Sequence, residues 1–84
     1  MKVDITIDEK SLSSIVSFDL ADFSTPKSYK DTLAIIMMIA ADYSLDPELE
    51  LEDLENIVNS GKENNDKKVV FVINEDEIEA ELSK

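Results

Sequence analysis

The sequence predicts an α+β fold in which a four-stranded antiparallel sheet, element order β-β-α-α-β-β, carries two helices on one face. Three observations predict it. Apolar and polar residues alternate in "VDITID" near the amino terminus and in "EIEAEL" near the carboxy terminus, two intervening segments repeat apolar residues every third or fourth position, and "VVFVI" is a β-branched apolar run. With 84 residues, 43% of them apolar, the chain is expected to form one domain, 1–84, around a modest core.

Residues 2–8 place Val3, Ile5 and Ile7 on one side and Lys2, Asp4, Thr6 and Asp8 on the other, the mark of a half-buried strand. Over residues 15–20 a second strand sets Val16, Phe18 and Leu20 on one face, with a helical grouping of Leu12, Ile15 and Val16 as the competing reading. In "FSTPKSYKD", Thr25 is suited to cap a helix, Pro26 to open it, and Ser28 with Asp31 offers a second start. Onward to about Tyr43, residues Tyr29, Leu33, Ile36, Met37, Ala40 and Tyr43 share a face. Ile35 and Met38 fall outside that face, between Asp31 and Asp42, and form a candidate apolar interface to a partner or to a second copy in a homodimer.

A second helix is expected over "SLDPELELEDLENIVNSG", with Asp46 as cap, Pro47 at the first position and Gly61 just past the end. Leu51, Leu54 and Val58 would face inward, and Glu48, Glu52 and Glu55 would lie together on a flank. After the solvated loop "KENNDKK", residues 69–73 read as a central strand covered on both faces or lying at an interface. Residues 75–82 read as its hairpin partner, with Ile78, Ala80 and Leu82 inward and Glu75, Glu77, Glu79 and Glu81 outward; a short helix is the alternative, since Ile78 and Leu82 are four apart.

Composition excludes many chemistries. Without histidine there is no imidazole base or ligand, without cysteine no thiolate or disulfide, and without arginine no guanidinium fork for phosphate. One glycine cannot build a P-loop or a dinucleotide fingerprint. The acid-rich stretches "DPELELED" and "NEDEIEAE" lack the spacing and the turn glycine of a calcium loop, so no metal site and no cofactor is expected, and the chain reads as a non-enzyme. The longest apolar run, Leu33 to Ala41, has nine residues where a membrane span needs about 20, and no signal-peptide pattern opens the sequence, so a cytoplasmic protein is expected.

The charge is lopsided. Twenty acids against eight lysines give a net of -12; residues 1–41 hold six acids and four lysines, residues 42–84 fourteen acids and four lysines. Direct contact with nucleic acid is disfavoured, because phosphates require clustered cations. A row of glutamates alternating along a strand would stand at about 6.7 Å intervals, twice the rise per residue, and could occupy a groove built for a phosphate backbone. The candidate binding residues are therefore Glu48, Glu52, Glu55, Glu75, Asp76, Glu77, Glu79 and Glu81. Acidic runs also serve as solvated faces, and Glu in a first helical turn suits the helix dipole.

In size, in acidity and in the stretches "DPELELEDLE" and "NEDEIEAE", the chain resembles the small phage-encoded inhibitors of host defence, the anti-CRISPR and anti-restriction proteins, several of which look like DNA mimics. That resemblance implies a non-enzymatic inhibitor occluding the groove of a basic nucleic-acid-binding protein, a nuclease or an effector complex. The immunity proteins that neutralise nuclease toxins are similar in charge, although the colicin type is all-helical and lacks strands like 2–8 and 69–73. An assembly module using Ile35 and Met38 is a further alternative.

Overall fold

The computed structural model describes residues 3–84, in the order β1 (Val3–Asp8), β2 (Ser13–Asp19), a 3-10 turn (Leu20–Asp22), α1 (Pro26–Asp42), α2 (Leu51–Glu63), β3 (Lys68–Ile73) and β4 (Ile78–Ser83). One antiparallel sheet runs β1-β2-β3-β4, and both helices lie in the excursion between its two central strands. The expected α+β class and element order are therefore those of the structure. Lys2, expected in the first strand, lies outside the described residues.

Two side-chain-capped turns fix the hairpins. In the first, Asp8 Oδ1 accepts from the backbone N–H groups of Lys10 and Ser11, and the chain returns through Leu12 at φ 51. In the second, Asn74 Oδ1 accepts from the N–H groups of Asp76 and Glu77 at 2.8 and 2.9 Å, while Asn74 N–H donates to the Glu77 carbonyl. Because side chains opposite each other in a ladder share a face, the register places Val3, Val16, Phe18, Val69, Phe71, Ile73, Ile78 and Leu82 toward the helices.

That face meets Ile36 and Ala40 of α1 and Leu54 and Val58 of α2, with Leu20 and Phe23 closing one end. Phe18 is central, edge-on to Phe23 at 6.1 Å and to Phe71 at 6.0 Å between ring centroids. Each such ring contributes about 1.5–3 kcal/mol through burial. Tyr43 at the end of α1 ties down to Ser14 of β2 by a 2.8 Å hydrogen bond between hydroxyls.

Three expectations need correction. First, α2 starts at Leu51, not after Asp46. Residues 45–50 alternate half-buried and exposed, as an extended segment does, and the Asp53 carboxylate accepts from the Glu50 N–H at 2.9 Å to open the helix there. Second, Gly61 lies inside α2 and is buried; an added Cβ would stand 2.7 Å from both Leu20 Cδ1 and Leu82 Cδ2, so this glycine permits close helix–sheet approach. Asn65, at φ 59, takes the left-handed position past the helix end, and Asp66 N–H bonds back to the Gly61 carbonyl. Third, β3 is covered on one face only: Val69, Phe71 and Ile73 are buried by the helices, whereas Val70 and Val72 are half-buried on the open side.

Coverage is also incomplete at the β1 edge. Ile5 and Ile7 face the helix side as their alternation predicts, yet they are 53% and 69% exposed.

Candidate acidic binding surfaces

The eight acids singled out from the sequence do not form one row. Glu79 and Glu81 alternate on β4 and project from the open face of the sheet. Glu77 precedes the strand, two residues before Glu79, and its carboxyl is pushed above its ordinary value, first because its protonated form can donate a hydrogen bond to the Glu79 carboxylate and then by the Glu79 charge. Glu75 is not part of this row. The Asn74-capped turn carries it to the other side, where it lines a cleft with Leu12, Asp42 and Tyr43. An unbroken strand from Glu75 to Glu81 was the expectation; the capture of two backbone amides by Asn74 is what ends β3 before Glu75 and delays β4 to Ile78.

The expected trio on the second helix is split as well. Glu52 and Glu55 are exposed on α2, and Glu55 lies near Tyr29, whose phenol is pushed up by burial and, secondarily, by that carboxylate. Glu48 is in the extended segment before the helix. There it joins Asp76 and Glu77 at the rim of a cleft of about 410 Å³. Of the proposed apolar pair, Met38 is 71% exposed, but Ile35 is half-buried and packs against the core.

Register gives the open face a defined layout. Across the sheet run the rows Thr6–Ile15–Val72–Glu79 and Asp4–Ser17–Val70–Glu81. Half-buried Ile15, Val70 and Val72 thus form an apolar centre. Asp4 lies at one margin and Glu79 with Glu81 at the other, three inter-strand spacings or roughly 14 Å apart.

Asp4 and Asp46 are functional candidates that the sequence did not single out. Asp4 looked like an isolated polar position in an alternating strand, and Asp46 looked like a helix cap. The usable signal for Asp46 was the alternation of Leu45, Pro47 and Leu49 with Asp46, Glu48 and Glu50.

Among the described residues no three acidic side chains converge in a way that could hold a metal ion, and no helix is long and apolar enough to cross a membrane. No protein-family model matches the chain, and neither the curated proteins nor the solved structures contain a significant match.

Proposed function

We propose that the chain is a non-enzymatic acidic inhibitor that seats the open face of its sheet over the nucleic-acid-binding groove of a basic protein, a nuclease or a defence effector of the kind phage inhibitors block. The observation that carries this reading is the layout of that face. Half-buried Ile15, Val70 and Val72 lie, with no helix over them, between margins of Asp4 and of Glu79 with Glu81, the apolar centre and charged rim that protein-binding surfaces share. A purely solubilising face has no need of three adjacent apolar side chains. Glu79 and Glu81 lack lysine partners, since the ion pairs among the described residues fall on Asp31 and Asp66. Their charge is thus free to act on a partner.

The mechanism is occlusion. A net charge of -12 draws a cationic groove into encounter at a rate that falls with ionic strength. Once docked, the carboxylate margins occupy phosphate positions and the apolar centre excludes water between them.

The test is competition. A panel of basic nucleases is assayed for binding to the chain in the presence and absence of short duplex DNA. The expected result is that DNA and the chain exclude each other on a responding nuclease, and that Glu79→Gln with Glu81→Gln weakens the complex. Simultaneous binding of both, or full affinity of the double variant, overturns the reading.

A further inference from the structure

On the opposite side of the sheet, where the amino-terminal half of α2 faces β4, the helix does not close on the strand. The close approach at Gly61 lies near the far end of α2, against Leu20 and Leu82. Toward its beginning the helix-facing position Ala80 is exposed even though its neighbour across the ladder, Phe71, is fully buried. The gap is roofed by the extended segment 45–49 and forms the 410 Å³ cleft, whose inner wall includes Ile57, Phe71, Ile78 and Ala80. A volume of this order suits a side chain or small ligand.

The rim differs from the wall. Asp46 and Glu48 reach it from the roofing segment, and Asp76 and Glu77 from the β3–β4 turn. Carboxylates therefore stand on two sides of an apolar slot, and among the described residues none of these four forms an ion pair with a lysine. We infer that this cleft is an anchor pocket for an arginine side chain presented by a basic protein partner.

An arginine fits both parts. Its methylene stem can lie along Ile57, Ile78 and Ala80 while the head stays at the polar mouth. The planar guanidinium presents donors in several directions and is weakly hydrated, so it can address acids on both rims at low desolvation cost; a compact, strongly hydrated ammonium is less suited to a partly apolar slot. The inference rests on the reading of the chain as a binder of basic proteins, and it assigns the binding to a second surface, distinct from the open face.

Titration of the 15N-labelled chain with n-butylguanidinium, with n-butylammonium and n-butanol as comparators, tests it by amide shifts. The expected result is saturable shifts confined to residues 46, 48, 49, 57 and 76–80, tighter for guanidinium than for ammonium and absent for the alcohol. Ala80→Leu, which fills the slot from an exposed position, should weaken binding by about tenfold or more, the scale on which loss of an anchor acts. Asp46→Asn with Glu48→Gln keeps the slot's shape and should also weaken it. Equal affinity for ammonium, unsaturable shifts spread over all acidic surfaces, or an unaffected Ala80→Leu variant overturns the pocket. Glu79→Gln with Glu81→Gln should leave guanidinium binding in place, so failure against nucleases with a working pocket counts against the open-face reading alone.

Discussion

Glu77 and Glu79 stand two residues apart where the turn enters β4, and their interaction, first by hydrogen bond and then by like charge, raises the Glu77 carboxyl above its ordinary 4.5. A carboxyl whose pKa rises on folding is protonated more readily in the folded chain. Its stabilising effect is present at low pH and is lost as pH rises through the raised value. Glu77→Gln is therefore expected to increase stability at pH 7.5 relative to the parent and to make little difference at pH 4, measured as the urea midpoint at each pH.

Asp8 shows the opposite sign. Hydrogen bonds from Ser11, by side chain and backbone, and from the Lys10 backbone hold its carboxyl below its ordinary 3.8. The stabilisation is complete above that value and disappears as pH falls through the lowered one. Asp8→Ala should be less stable than the parent at pH 6, with the difference narrowing toward pH 2.5 in the same urea assay.

Leu12 holds a left-handed backbone at φ 51 while its side chain is 70% exposed. A left-handed conformation costs a side-chain-bearing residue about 1–2 kcal/mol, a penalty that glycine avoids. Leu12→Gly should raise stability by about 1 kcal/mol after its greater unfolded-state entropy is counted, a melting shift of about 4–8 °C for a domain of this size.

Gly61 should tolerate no large side chain. Leucine is a far better helix former than glycine, so a loss of stability in Gly61→Leu isolates the steric clash with Leu20 and Leu82. The expected loss is about 1–3 kcal/mol, the range for overpacked interiors, read from denaturant unfolding.

Salt should act in opposite directions on folding and on binding. With a net charge of -12, screening relieves self-repulsion and raises the melting temperature of the free chain. The same salt should weaken the complex with a basic partner, chiefly through its association rate. Melting curves and association kinetics between 0.05 and 0.5 M NaCl, on the order of Debye lengths from above to below 10 Å, would show whether the signs diverge.

How far the fold was legible depends on how local the deciding forces are. The strands Val3–Asp8 and Lys68–Ile73 and the helix opened by Thr25 and Pro26 announce themselves through periodicity and capping, which act within a few residues. Asp46 and Pro47 satisfy the same capping rule, yet the chain stays extended there because Leu45 and Leu49 gain more by packing against the core. Gly61 looked like a helix stop, since its neighbours Leu20 and Leu82 are distant in sequence. The candidate site was legible as a list of acids, not as surfaces: Asn74 divides the terminal glutamates, and strand register, invisible locally, pairs Asp4 with Ser17 and Val70 with Glu81.

The bare isoleucines of β1 carry a practical consequence for anyone handling the protein. Ile5 and Ile7 flank an unpaired backbone edge, the geometry from which chains zip together into ordered aggregates. At neutral pH mutual repulsion keeps molecules apart. Acidification discharges the carboxylates and removes that barrier, so cloudiness should set in first at low pH, and a lysine in place of Ile7 should postpone it.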